Sequence, residues 1–246
     1  MVDSSERPLI EEEIEHIRAE TDEIRRRIDA EAKIDDLRIK QMTFQVRESE
    51  INMLAKERQH DVVMADDLYQ RYYYFDQPVG EKSVQAALVR LGFWHRTMPG
   101  GDINIVLNSP GGDIVSGFAL FDYIQELKRG GHKVTTHAIG HAASMAAVLL
   151  QSGSERTMGK EAMLLIHQGG FGARGSAGEM KDMQKYFDKL LGRIENIFLT
   201  KTEEAYKNGT ATKKLTKAYF EKNWERQDWW LSSDEALELG FVDKVL

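Results

Sequence analysis

The sequence predicts an α/β domain with a mostly parallel sheet, preceded by a long charged helical arm. Three observations predict this organisation. All 20 glycines of the 246-residue chain fall at or after Gly80, and the first 60 residues are rich in charges of both signs. Beyond residue 61, short apolar segments alternate with segments of helical periodicity, which is the pattern of βαβ units. We therefore expect an arm over residues 1–60 and a globular domain over residues 61–246.

The arm carries a heptad pattern of apolar residues, the spacing that keeps a narrow stripe facing a partner helix. Its first part comprises Ile10, Ile14, Ile17, Thr21, Ile24 and Ile28. The spacing then slips by one residue and resumes with Ile34, Leu37, Gln41, Phe44, Glu48 and Ile51, of which Gln41 and Glu48 are polar. This pattern predicts a coiled coil or a docking segment. The alternative is a solvated, charged helix with little role.

The globular domain opens with an aromatic strand and an amphipathic helix. Residues 71–75 are predicted to form the strand, which the turn at 76–80 closes. Helical spacing over 82–94 places Val84, Leu88 and Leu91 on one face. The next apolar strand, 102–107, runs into a Pro-Gly-Gly turn and then a helix that ends at Gly130.

The second half of the domain repeats this alternation. The expected elements are a strand at 133–139, a helix at 144–151, a strand at 162–166, a long helix at about 177–200, and a smaller αβ tail closing at 242–246. Short links between strands and helices favour right-handed parallel crossovers.

Composition restricts the chemistry and the partners. The chain has no cysteine, which excludes disulfides, thiolate catalysis and cysteine-held metal sites. Its formal net charge is -7 and no basic patch stands out, so nucleic acid is not an expected partner. The N-terminus lacks the apolar segment of a secretory signal, and the uncharged stretch 134–154 is too polar to span a membrane. We expect a cytoplasmic protein without membrane contact.

Three junctions after predicted strands carry residues of catalytic type. The paired glycines Gly111 and Gly112 precede a helix and leave backbone N–H groups free to bind a ligand. Ser144 begins a helix among small residues, and His167 ends an apolar strand. Each has an ordinary structural interpretation: a turn, a helix N-cap and a structural histidine. Their occurrence together favours a catalytic site.

These segments resemble the proteolytic subunit of the Clp ATP-dependent protease. The matching segments are YFDQPV at 74–79, IVLNSPGG at 105–112, GHAASMAA at 140–147, LIHQ at 165–168 and LSSDEALELGFVDKVL at 231–246. They occur in order and cover roughly residues 70–246. The charged arm of 60 residues has no counterpart in the usual subunit of that family.

The resemblance implies a fold and a set of catalytic residues. The fold is a crotonase-like spiral of βαβ units with a protruding handle helix at about 168–200. Ser144 matches the family's nucleophile, His167 its general base and Asp228 its acid, although Asp234 and Asp243 lie close to Asp228 in the sequence. The resemblance is to a serine endopeptidase that forms an acyl-enzyme and uses no cofactor or metal.

Other residues are assigned to the substrate by the same resemblance. The N–H groups of Gly112 and Met145 would form the oxyanion hole, where a side chain at the Gly-Gly turn would crowd the substrate carbonyl. The glycine-rich segment 168–176 resembles a strand that pairs with extended substrate. The implied substrate-binding residues are Gly111, Gln168, Gly169, Gly170 and Phe171.

The partners expected from this resemblance are polypeptide substrates and other copies of the chain, assembled as stacked rings through the handle. The sequence has no Gly-x4-Gly-Lys-Ser/Thr phosphate loop, so an ATP-driven unfoldase of the AAA+ type would be a separate protein. Two alternatives stay open. One is a viral head-maturation protease of the same fold docked on a capsid scaffold, and the other is an inactive scaffold or a crotonase-like acyl-CoA enzyme.

Overall fold

The computed structural model describes residues 7–170, 172, 174–225 and 228–246, with backbone only for 7–14 and 57–69. The chain divides into two compact units, Met1–Met64 and Ala65–Leu246. No helix in the described part of the chain is both long enough and apolar enough to cross a membrane.

The predicted arm is one continuous helix, α1 (Arg7–Tyr69), which extends past the expected boundary at residue 60. Salt bridges one turn apart support it, including Arg27 Nη2 to Glu23 Oε1 at 2.8 Å and Lys40 Nζ to Asp36 Oδ2 at 2.6 Å. Each such exposed pair contributes only about 0.3–0.5 kcal/mol. The arm therefore presents many charges but little stabilising contact of its own.

The second unit is a mixed α/β domain, as the sequence predicts. Its strands are β1 (Tyr72–Phe75), β2 (Ile103–Ser109), β3 (Val134–Ala143), β4 (Glu155–Met158), β5 (Met163–Ile166), β6 (Trp229–Ser232) and β7 (Lys244–Val245). Its helices are α2 (Glu81–Thr97), α3 (Ile114–Arg129), α4 (Met145–Leu150), α5 (Ala177–Lys207), α6 (Lys217–Trp224) and α7 (Ser233–Glu238).

The long strand β3 organises the sheet. The order is β1-β2-β3-β4-β7, all parallel, and β5 also pairs with β3 in parallel. Residues 135–138 of β3 pair with β4, whereas residues 141–143 pair with β5. Gly140 lies between the two halves with φ of 59°, a conformation that glycine adopts without strain. Strand β6 then pairs antiparallel with β5.

Helix α4 occupies the centre of the core. All six of its residues are buried, which accounts for its apolar sequence on every side. A second part of the core is aromatic, where Phe198, Phe220, Trp229 and Phe241 contact one another. These rings connect α5 and α6 to the end of the chain. The core thus supports the segments on either side of the β3–α4 junction.

Three elements were not anticipated from the sequence. Strand β4 contains a buried arginine, Arg156, whose guanidinium binds the carboxylate of Asp243 and the side-chain oxygen of Gln151. Because a charge within a four-residue strand hides its apolar period, the sequence pattern did not reveal β4. The short elements α6 and β6 were missed because they are too brief to show a clear period.

The glycine-rich segment also differs from the prediction. Its described residues, 168–170, 172 and 174–176, lie in no strand. Glycine loses more entropy than other residues on becoming extended, and a lone strand gains no ladder hydrogen bonds. Helix α5 follows, with a capping box between Ser176 and Glu179, and runs to Lys207, beyond the expected end at about residue 200.

Candidate active site

Ser144 lies at the tight junction between β3 and α4. Its φ and ψ are 55° and −121°, and it is the one non-glycine residue with positive φ in the described part of the chain. A conformation of this kind costs about 1–3 kcal/mol and persists only where neighbouring bonds hold it. Here Ser144 N donates to Leu165 O at 2.9 Å, and Ala147 N donates to Ser144 O at 3.0 Å. Ser144 occupies the N-cap position of α4, but its side chain makes no capping hydrogen bond, so capping does not account for a serine here.

His167 and Asp228 are brought together by the antiparallel pairing of β5 and β6. Ile166 pairs with Trp229 in that ladder. His167 follows Ile166 and Asp228 precedes Trp229, so the antiparallel pairing brings His167 and Asp228 to the same end of the ladder. His167 Nδ1 lies 3.2 Å from Asp228 Oδ1. Asp228 is 61% exposed, so solvent screens any charge attraction between the carboxylate and the ring.

The two neighbouring carboxylates are engaged elsewhere. Asp234 pairs with Lys160, with Oδ2 to Nζ at 2.7 Å. Asp243 binds the buried guanidinium of Arg156, and its Oδ2 also accepts a hydrogen bond from Arg156 N at 2.8 Å. Of the three aspartates considered from the sequence, Asp228 is the one placed beside His167.

Ser144 and His167 line the same cavity, which has a volume of about 320 Å³. Four of the predicted substrate-binding residues line it as well, namely Gly111, Gln168, Gly169 and Gly170. Phe171 lies outside the described residues. One wall of the cavity is apolar and consists of Ile114, Met145, Val148, Ile194 and Phe198. The cavity therefore combines a hydroxyl, an imidazole and exposed backbone with a hydrophobic surface.

The Gly111–Gly112 turn is fixed against the loop after β1. Val79 N donates to Gly111 O at 2.8 Å, and Asp113 N donates to Val79 O at 2.8 Å. These bonds form a parallel bridge between Val79 and Gly112. In such a bridge the residues on either side of Gly112 make the hydrogen bonds to Val79, so the N–H of Gly112 itself points away from Val79.

Both glycines of this turn are required by geometry, but for a different reason from the one expected. A Cβ on Gly112, whose φ is 149°, would lie 2.2 Å from Val79 O. A Cβ on Gly111, whose φ is 85°, would lie 2.7 Å from Ser144 Cβ and 2.8 Å from Met145 N. A side chain at either glycine would therefore collide with the protein's own backbone or with the Ser144 turn, whether or not a substrate is bound.

The same distances place Gly111, Ser144 and Met145 next to one another. Met145 is the first residue of α4, and N–H groups in the first turn of a helix have no acceptor within the helix. The predicted oxyanion donors, Gly112 N–H and Met145 N–H, thus belong to two backbone segments that meet beside the serine.

Comparison with known proteins agrees with this arrangement. The model of the family described as Clp protease matches residues 55–246. The chain is 32% identical over 190 residues to the ATP-dependent Clp protease proteolytic subunit 1 of Chlamydia muridarum, covering 76% of this chain and 91% of that protein. The subunits of the same name from Chlamydia trachomatis serovars D and A match at the same identity and coverage.

The chain belongs to the Clp protease family.

As a Clp-family protein the chain is a serine-type peptidase, which favours the peptidase interpretation over a crotonase-like acyl-CoA enzyme. The described residues contain no group of three or more His, Asp or Glu side chains arranged to hold a metal ion.

Sequence reasoning missed one residue that shapes the Clp-family site. Ser109 is completely buried, and its Oγ donates to Gln77 O at 2.6 Å while accepting from Gly111 N at 3.3 Å. It therefore ties the glycine turn to the loop after β1. The signal was present in the Ser-Pro-Gly-Gly segment, but a buried hydroxyl cannot be distinguished from an exposed one by its position before proline.

Proposed function

We propose that this Clp-family peptidase cleaves peptide bonds through an acyl-enzyme formed on Ser144. With the Nδ1 proton of His167 donated to Asp228, Nε2 carries the lone pair that accepts the proton from Ser144 Oγ. The oxygen attacks the substrate carbonyl, and the imidazolium then protonates the leaving amine as the C–N bond breaks. Water, deprotonated by His167, hydrolyses the ester and regenerates the hydroxyl of Ser144.

The proposed oxyanion donors are the N–H groups of Gly112 and Met145. Charge develops on the carbonyl oxygen in the tetrahedral intermediate, and rigid donors stabilise it without rearranging. Loss of one such donor in other enzymes costs about 2.7–4 kcal/mol of barrier. The bridge from Val79 to the glycine turn and the short buried helix α4 supply the rigidity here.

One observation carries the proposal. Ser144 adopts a strained backbone conformation and its side chain makes no capping hydrogen bond. It lines the same cavity as His167, whose Nδ1 lies 3.2 Å from Asp228 Oδ1. A serine with only a structural role has no need of positive φ. A strained serine beside an oriented imidazole is the arrangement that nucleophilic catalysis requires.

Substrate binding is proposed to use the backbone of Gln168, Gly169 and Gly170. Gly169 has nothing within 4 Å of the position of an added Cβ, and the same is true of Gly170. An extended substrate could therefore pair with this segment by main-chain hydrogen bonds, which read little of its sequence. The apolar wall of the cavity would receive a hydrophobic side chain next to the scissile bond.

Assembly into stacked rings is proposed to involve α5 as the handle. Met180, Met183 and Tyr186 on this helix are each 47–49% exposed, more apolar surface than a free helix usually presents. The relatives are named ATP-dependent, and this chain lacks a phosphate loop in its sequence. We therefore propose a separate AAA+ unfoldase as partner, and the cytoplasm as the location.

Labelling with a fluorophosphonate tests the catalytic proposal, because this reagent esterifies only an activated hydroxyl. We expect a single adduct on Ser144, found by peptide mass mapping. Ser144→Ala should abolish labelling, and His167→Ala should reduce it at least about 100-fold, the usual size of a general-base effect. Ser116→Ala, a partly exposed serine on α3, serves as the matched control and should label like the native protein.

Failure to label Ser144 in assembled particles would contradict the proposal and favour an inactive scaffold. If labelling occurs, incubation with a candidate unfoldase or with a capsid precursor distinguishes an unfoldase-dependent protease from a viral head-maturation protease. ATP-dependent degradation of a folded substrate supports the unfoldase partner. Specific processing of the precursor without ATP would overturn that partner in favour of the head-maturation alternative.

A further inference from the structure

The arm helix α1 carries two apolar lines on opposite faces. At 3.6 residues per turn, the first line follows one face of the continuous helix for most of its described length. We call it the first stripe; it contains Ile17, Ile24, Ile28, Ile39, Met42, Val46 and Met53, each more than half exposed. The second stripe contains Ile34, Leu37, Phe44 and Ile51, also more than half exposed. The residues after the slip in the heptad pattern therefore lie opposite the first stripe and do not continue it.

Apolar surface of this extent needs a partner that is itself a long helix. Water-exposed Ile and Met residues gain roughly 1.5–3 kcal/mol each when fully buried, far more than the exposed ion pairs of α1 contribute. Residues 10–28 also have heptad spacing, which favours a helical partner that coils around this part of the arm. The remaining question is which helix.

We propose that the partner of the first stripe is the same segment of other copies of this chain, aligned in parallel and in register. The charges beside the stripe support this choice. Glu20 and Arg25 flank it at the heptad positions g and e. In a parallel, in-register pair, Glu20 of one copy faces Arg25 of the next, and the reverse contact forms as well. In an antiparallel pair centred on this segment, glutamate would face glutamate and arginine would face arginine.

These two residues are available for contacts between copies. In the described part of α1, ion pairs within the helix are made by Arg27, Arg38 and Lys40 with acidic residues one turn away. Glu20 and Arg25 take part in none of these pairs. Charge complementarity between copies thus selects both the partner and its direction.

The assembly contains more than two arms. Isoleucine occupies both core positions of the heptad, at Ile24 and Ile28, and this choice favours three or four strands over two. The second stripe also favours more than two arms, because a helix with apolar residues on opposite faces requires neighbours on both sides. Two arms alone would leave Phe44, which is 69% exposed, in water.

The direction is tested by cysteine cross-linking in the full-length protein, which has no native cysteine. Ile17→Cys and Met53→Cys lie near opposite ends of the first stripe. On mild oxidation each variant should form disulfide-linked dimers with itself, since only close, aligned positions can bridge. Asp36→Cys, which at 3.6 residues per turn lies between the two stripes, is the matched control and should remain monomeric on a denaturing gel. Cross-links only between Ile17→Cys and Met53→Cys chains in a mixture would show antiparallel arms and overturn the proposal.

A charge swap tests the pairing of Glu20 with Arg25. In the Ile17→Cys background, Glu20→Arg or Arg25→Glu should lower the cross-linking rate severalfold, because each places like charges together. The double swap Glu20→Arg/Arg25→Glu should restore it, and high salt should reduce the differences. No recovery in the double variant, with helicity by circular dichroism unchanged, would overturn the assigned contact.

A double-cysteine variant tests the number of arms. Ile24→Cys or Phe44→Cys alone should yield covalent dimers, whereas the Ile24→Cys/Phe44→Cys chain should yield a ladder of larger species. A double variant that stops at dimers would overturn an assembly of more than two arms. Fluorophosphonate labelling of the same samples reports on the peptidase site separately, so failure of either proposal is recognised independently.

Discussion

At the scale of single residues, the site depends on backbone conformations that few residues adopt. Ser144 holds φ of 55° without a capping bond, and Gly111 leaves no space for a Cβ next to it. The imidazole of His167 lies 3.2 Å from a carboxylate that is largely exposed. We propose distinct tasks for these neighbouring residues: exposing the hydroxyl, admitting the glycine turn and fixing the tautomer.

Replacement of Asp228 by asparagine tests the last of these tasks. An asparagine amide in place of the carboxylate would hold the wrong tautomer of His167, so kcat should fall by about 10²–10⁴-fold, the larger value being that of a buried triad aspartate. Peptide hydrolysis by purified particles measures it. Asp234→Asn is the matched control, because Asp234 pairs with Lys160, and it should leave kcat unchanged. Equal losses in both variants would remove the special role of Asp228.

At the scale of elements, β3 connects the site to the rest of the sheet. Its first half pairs with β4 and its second half with β5, which delivers Ser144 and His167 to the same end of the sheet. Between β3 and β4, His137 Nδ1 lies 2.7 Å from Thr157 Oγ1. Burial lowers the pKa of His137 below its ordinary value, because the ring is desolvated there.

This environment predicts a pH dependence of stability. The unfolded chain takes up a proton on His137 as the pH falls below about 6.5, whereas the folded chain resists it, so acid lowers the free energy of unfolding. Between pH 7.5 and 5.5 we expect the contribution to be under about 1 kcal/mol, since the ring is only half-buried. Urea unfolding of the native protein and of the His137→Gln variant measures this contribution to the free energy of unfolding. The variant should lose less stability in acid. His16→Gln on α1 should behave like the native protein, and a steeper acid loss in His137→Gln would contradict the assignment.

At the scale of the whole molecule, the chain divides into a catalytic domain and a helical arm with different tasks. The cavity residues all belong to the unit Ala65–Leu246, and the family match begins at residue 55. The arm belongs to the other unit, Met1–Met64. We propose that its apolar stripes contact other chains and that its charges determine how those chains align.

Deletion of residues 1–60 tests this division. Hydrolysis of a short peptide, expressed per active site, should remain within about twofold, because every residue proposed for catalysis is retained. The mass of the particle, or its binding of a partner, should change. Peptide hydrolysis measures the first effect, and light scattering and mass photometry measure the second. Particles of unchanged mass that no longer cleave peptide would contradict the separation of tasks.

Part of the site was predictable because its signals are local. The turn glycines, the serine at a helix start and the histidine at a strand end each follow from short segments, and their combination suggested the family. The same locality limited the prediction. Asp228 could not be separated from Asp234 and Asp243 by spacing, and β4 was hidden by the charge of Arg156.

What the sequence by itself determined was therefore the alternation of strands and helices, the charged arm and the family of the catalytic domain. These follow from hydrophobic period and turn chemistry, which act over a few residues. Only the tertiary structure decided which aspartate reaches His167, why Gly111 and Gly112 cannot carry side chains, and how Arg156 is neutralised. Each of these depends on pairing between segments far apart in the chain, such as β5 with β6, and such pairing is selected by burial and register in the assembled core.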